Sequence, residues 1–161
     1  MKVDIGMKGQ QREAVGQLLN GVLADQHVLY VKTRNFHWNV VGPQFHALHE
    51  LLEEQYGALA KAADDVAERA RALGTHANGT MAEFLRDARL KEDEGRGLTG
   101  SEMVERLVGD HEAVGRQMRK DIERCEDELD DVGTADLLTQ LVQAHDKMGW
   151  MLRAHLEEAS A

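Results

Sequence analysis

The chain has 161 residues, 42% of them hydrophobic and 30% charged, with 1 proline, 4% aromatic side chains and a formal net charge of −10. Such a composition excludes a sheet-rich protein and suits long amphipathic helices, in a length that fits one domain, residues 1–161, behind a short tail over 1–10. The lone Cys125 excludes an internal disulfide and favours a reducing compartment, and no stretch is apolar enough for a signal peptide or a bilayer span, so a cytoplasmic, soluble protein is expected.

The first helix is expected to start between Lys8 and Arg12, with Val15, Leu18, Leu19, Val22, Leu23, Leu29 and Tyr30 recurring at three- and four-residue steps toward His37 and Trp38. Val41, Gly42 and Pro43 interrupt the pattern, because glycine forms helix poorly and proline is tolerated only in a first turn. A second helix then runs from near Phe45 to Leu73–Gly74, where glycine can take the left-handed conformation that closes a helix.

On a helical wheel with His49 at zero, Glu53 falls at about 40°, Asp64 at about 60° and Glu68 at about 100°. Leu51, Leu52, Leu59, Val66, Ala70 and Leu73 gather on the opposite side. Four metal-ligating side chains thus share a face turned away from the bundle core. The His49/Glu53 and Asp64/Glu68 pairs are about 22 Å apart along the helix, so one straight helix cannot bring both to one ion. A second copy crossing antiparallel about a two-fold axis would place the first pair of one subunit beside the second pair of the other. His37, at the end of the preceding helix, is positioned to join the His49/Glu53 end. Two imidazoles and up to three carboxylates suit iron, zinc or manganese better than calcium or a thiolate-bound metal.

Farther along, Thr80 and Glu83 form a capping box that opens a short helix through Phe84 and Leu85. Lys91 to Gly100 reads as a charged loop, closed by a second capping box in Thr99 and Glu102. The next long helix carries Met103, Val104, Leu107, Val108, Val114, Met118, Ile122 and Leu129 on its apolar side. Gly133 is expected to break it and Thr134 to cap the last helix, whose apolar side holds Leu137, Leu138, Leu141, Met148, Met151, Leu152 and Leu156. His111, His145 and His155 lie at or near these stripes and read as packing residues. The expected architecture is an all-α four-helix bundle with a short extra helix in its middle connection.

The segment KTRNFHWNVVGPQFHALHE followed by DDVAER resembles the signature of the Dps family, the ferritin-like miniferritins. The resemblance covers roughly residues 10 to 157 and implies a ferroxidase that oxidises Fe²⁺ with hydrogen peroxide or dioxygen. It implies a hollow twelve-subunit shell that stores the ferric product, with iron ligands at His37, His49 and Glu53 of one subunit and Asp64 and Glu68 of its neighbour. Glu53 departs from the family pattern, which usually has aspartate there. Zinc is a possible surrogate for iron. The family also implies that Trp38, beside His37, intercepts oxidising equivalents, and that acids of the run CEDELDDVGTAD line three-fold pores for iron: Asp131, Asp136, Glu126 and Asp127. Larger di-iron ferritins use Glu-x-x-His motifs inside the bundle. No histidine here has a glutamate three residues before it, which favours the site between subunits.

Two other readings are a DNA-compacting protein and a bundle that binds metal without redox turnover. Members that compact DNA carry basic extensions, whereas this chain has 29 acids against 19 bases and ends in HLEEASA, so DNA binding is expected to be absent or weak.

Overall fold

In the computed structural model, which describes residues 3–156, four long helices build the molecule: α1 (Gly9–Asn39), α2 (Phe45–Ala72), α4 (Gly100–Asp127) and α5 (Val132–Arg153). A short helix, α3 (Met81–Asp87), lies in the connection between α2 and α4. The helix α1 packs along α2, and α4 along α5, while α3 rests on α1. This is the all-α ferritin-like bundle expected from the sequence. None of the described helices is long and apolar enough to cross a membrane.

Local chemistry sets the boundaries. At Gly74, φ is +84°, so the residue after the α2 cap takes the left-handed turn that glycine permits without a Cβ clash. Both capping boxes form: Thr80 Oγ1 accepts from Glu83 N while Glu83 Oε2 accepts from Thr80 N, and Thr99 and Glu102 repeat the exchange.

One boundary differs from expectation. The helix α4 ends at Asp127, Asp130 takes a positive φ of 50°, and Gly133 lies within the first turn of α5. The N-cap is Asp131, not Thr134. Its Oδ1 accepts from Thr134 N at 3.0 Å and its Oδ2 accepts from the Thr134 hydroxyl at 2.6 Å. Aspartate is as good a cap as threonine, and the Arg69 guanidinium adds an ion pair to Asp131 at 2.7 Å that local sequence does not reveal.

The core has two apolar clusters. One gathers Leu19, Val22, Val66, Met118 and Leu138, the other Leu29, Phe36, Leu52, Leu107 and Leu152. Between them α1, α4 and α5 contribute a polar layer: Gln26, His111 and His145, all buried. The two imidazoles meet Nδ1 to Nδ1 at 2.9 Å, and His145 Nε2 lies 3.0 Å from the Gln26 amide nitrogen. Burial holds His111 well below the ordinary imidazole range, helped by His145, and burial lowers His145 to about 4. Both are therefore neutral packing residues at physiological pH, as their place on the apolar stripes suggests.

A second buried network fixes the connection through α3. Asp25, 1% exposed, accepts from the backbone nitrogens of Arg89 and Leu90 and from Arg89 Nε at 2.6 Å, while Arg89 Nη1 reaches Asp121. A buried carboxylate with this many donors is satisfied in place, which ties the strap to α1 and α4.

Candidate metal centre

The break at residues 40–44 turns the chain so that the last turn of α1 faces the first turns of α2. His37 and His49 meet there. Their rings stack with centroids 3.8 Å apart and planes 19° from parallel. His37 Nδ1 donates to the His49 carbonyl at 2.7 Å, and His49 Nδ1 donates to the His37 carbonyl at 2.9 Å. A carbonyl can only accept, so each neutral imidazole carries its proton on Nδ1 and keeps a lone pair on Nε2. Outer hydrogen bonds of this kind set tautomer and ring direction in metal-binding histidines.

Glu53, exposed, follows one turn after His49. Its Oε1 accepts from the Tyr56 hydroxyl at 3.3 Å. The Tyr56 ring stands edge-on to His37, centroids 5.3 Å apart. Desolvation and the Glu53 charge raise the Tyr56 phenol above its ordinary value. Phe45 leans on His49 from the other side, 5.1 Å between centroids. Tyr56 was not singled out from sequence, although its place three residues after Glu53 sets it on the same helix face.

Asp64 and Glu68 are exposed near the other end of α2, the pair about 22 Å from the His49/Glu53 pair by helical rise. Lys61 lies beside them, paired with Asp65 at 3.0 Å; its pKa is raised chiefly by Asp65 and further by Asp64 and Glu68. Among the described residues no three His, Cys, Asp or Glu side chains converge on one point. The chain thus joins His37 to His49 and leaves Asp64 and Glu68 apart from them.

Trp38 points outward, 63% exposed, with the Arg34 guanidinium carbon 4.7 Å from its ring. Among the acids at the α4–α5 turn, Glu126, Asp127 and Asp136 are exposed. Asp131 is only 4% exposed, its carboxylate held by Arg69 and Thr134, so within the subunit it serves the turn rather than a surface. Cys125 is buried, and burial pushes its thiol up to about 11, which makes it a poor thiolate ligand.

The long helices, the short helix in the middle connection and the imidazole pair at the α1–α2 corner define a ferritin-like protein. The sequence pattern of the Ferritin family, described as a ferritin-like domain, matches residues 16–161. A low temperature-induced protein of Nostoc, itself uncharacterised, is 46% identical over 97% of this chain and 87% of its own length. The DNA protection during starvation protein of Brevibacillus brevis is 41% identical over 94% of this chain and 100% of its own. The crystal structure of a Dps protein from Vibrio cholerae, described as a member of a broad superfamily of ferritin-like diiron-carboxylate proteins, superposes with a TM-score of 0.89 at 30% identity, covering 98% of both chains. The chain belongs to the Dps family within the ferritin-like superfamily.

Proposed function

We propose that this protein is a Dps-type ferroxidase and iron store. Fe²⁺ is the substrate, bound between subunits by His37, His49 and Glu53 of one copy and Asp64 and Glu68 of a neighbour in a cytoplasmic dodecamer. Hydrogen peroxide, or dioxygen more slowly, takes the electrons. The ferric product collects as oxyhydroxide on the inner surface of the shell, and zinc is able to occupy the same ligands without turnover. Removing Fe²⁺ together with peroxide protects the cell from oxidative damage.

The observation that carries this reading is the reciprocal pair of imidazole–carbonyl hydrogen bonds between His37 and His49. It engages Nδ1 of both histidines as donors and leaves both Nε2 atoms at one corner for a metal, a donor arrangement that packing alone does not require. Carboxylates complete the set well, because they stabilise Fe³⁺ more than Fe²⁺ and so favour oxidation. Entry of Fe²⁺ near the α4–α5 turn is supported by the exposed Glu126, Asp127 and Asp136, whose negative potential attracts cations. Asp131 enters this proposal only as the cap that shapes the turn.

The test is anaerobic addition of Fe²⁺ to the intact assembly followed by peroxide, with ferric absorbance and particle size followed together. Rapid ferric formation inside a particle of unchanged size is expected. Ferric iron that precipitates outside the particle at the protein-free rate would refute the proposal.

A further inference from the structure

Hydrogen peroxide takes two electrons and a single Fe²⁺ supplies one. A site holding one ferrous ion, with no second Fe²⁺ at hand, therefore avoids releasing a hydroxyl radical when the protein supplies the second electron. Three oxidisable aromatic side chains lie close to this corner: Tyr56 edge-on to His37, Tyr30 edge-on to Tyr56 with ring centroids 6.0 Å apart, and Trp38 next in the chain after His37, and their surroundings differ. The Arg34 guanidinium lies over the Trp38 indole with Cζ 4.7 Å from the ring centre. A positive charge on the ring face opposes removal of an electron from that ring. The same guanidinium donates from Nη1 to the Tyr30 hydroxyl oxygen at 2.5 Å. An oxidised phenol must lose its proton, and Arg34 offers Tyr30 a donor where an acceptor is needed.

Tyr56 has the opposite environment. Its hydroxyl donates to the Glu53 carboxylate, and its ring edge faces the His37 imidazole. We infer that Tyr56, rather than Trp38, supplies the second electron when one Fe²⁺ reacts with hydrogen peroxide at the His37–His49 corner, an inference that rests on the iron-oxidising reading above. In this step the O–O bond breaks. Fe²⁺ gives one electron, Tyr56 gives one electron and its hydroxyl proton, and solvent gives one further proton. Two waters, Fe³⁺ and a neutral tyrosyl radical result. Glu53 receives the phenolic proton and, being exposed, relays it through solvent to the peroxide oxygens, so that the net uptake from solvent is one proton. Arg34 thus contacts two of the three aromatic side chains directly and makes them harder to oxidise, while on Tyr56 its charge is outweighed by the Glu53 carboxylate that takes the hydroxyl hydrogen bond.

The experiment loads the intact assembly anaerobically with one Fe²⁺ per site, adds peroxide, and freezes samples for electron paramagnetic resonance while ferric absorbance is recorded. A parallel series contains a hydroxyl-radical spin trap. The wild type should give a tyrosyl signal that narrows when the protein is grown with ring-deuterated tyrosine. Trp38→Phe should keep that signal. Tyr56→Phe, which retains the ring against His37, should lose it and show more trapped hydroxyl radical, with particle mass confirming assembly. Arg34→Gln should shift part of the signal to an indole radical. An undiminished tyrosyl signal in Tyr56→Phe, or an indole radical dominating the wild type, overturns the inference. Ferric iron formed without a Tyr56 radical defeats the inference alone. Absence of ferric iron in the wild type defeats the proposed oxidation, and the inference with it.

Discussion

Acidification probes the buried His111–His145 pair directly. The folded pKa of His145 is lowered from 6.5 to about 4, and that of His111 lies well below 6.5, both through burial. An unfolded imidazole titrates near its ordinary value, so between about pH 6.5 and pH 4 the unfolded chain binds protons that the folded chain refuses. Stability is therefore full above about pH 6.5, falls as the pH drops toward about 4, and loses nothing more from His145 below that. The gap for His145 corresponds to about 3 kcal/mol, and His111 adds to it in the same direction. Against a total of roughly 5–15 kcal/mol for a typical domain, this is a large fraction. The assay is urea denaturation at fixed subunit concentration across this pH range, comparing the wild type with a His111→Leu/His145→Leu variant. The variant starts from a different absolute stability, because Gln26 loses its partner, but its slope against pH should be flatter than the wild type by about 1.4 kcal/mol per unit for each histidine removed. Equal slopes would refute the assignment of both imidazoles as neutral in the folded state.

Replacing Asp64 and Glu68 together by alanine should abolish fast Fe²⁺ oxidation while circular dichroism and particle mass stay unchanged, since exposed like charges on one helix contribute little or negative stability; unaltered kinetics would place the chemistry elsewhere. Arg69→Ala should destabilise the protein by about 3 kcal/mol, because it leaves the buried Asp131 carboxylate without its cation, and a change below about 0.5 kcal/mol in denaturant midpoint analysis would show that Thr134 alone suffices. Glu53→Asp should preserve oxidation, as aspartate restores the family's usual carboxylate, and a loss of turnover would tie the reach of Glu53 to this chain's site. Retardation of duplex DNA by submicromolar protein is not expected at neutral pH without divalent ions, given the net charge of −10 per chain; a gel shift under those conditions would contradict this.

The helices were legible because their signals are local. Thr80/Glu83 and Thr99/Glu102 announce helix starts within four residues, and both boxes form as read. The α4–α5 turn was misread for the opposite reason: Asp131 caps the helix with help from Arg69, 62 residues earlier in sequence. Helical periodicity placed His49, Glu53, Asp64 and Glu68 on one face, but the backbone carbonyls that set the imidazole tautomers come from bringing two helix ends together. The same limit hid Tyr56 and Arg34. Tyr56 lies outside the quoted motif and Arg34 lies inside it without an assigned role, and their bearing on the corner appears only when ring orientations and the guanidinium position are known.

The distribution of charge along α2 links assembly to chemistry on the proposed reading. Asp64 and Glu68 stand four residues apart on an exposed face, a placement that mildly disfavours the helix. Lys61, the nearby cation on the same helix, is committed to Asp65 at 3.0 Å. The His37–His49 corner has the complementary deficit: two imidazole nitrogens and one carboxylate leave an Fe²⁺ ion incompletely ligated and incompletely neutralised. Joining the two ends from different subunits corrects both at once, because the ion gains two carboxylates and those carboxylates gain a cation. Binding of Fe²⁺ should then strengthen the contact between subunits, as any ligand held across an interface must. An assembly loaded with Fe²⁺ without oxygen should resist dissociation at lower protein concentration than the metal-free form, and the Asp64→Ala/Glu68→Ala variant should lose that difference. Equal dissociation with and without Fe²⁺ would show that the ion is not held across the interface.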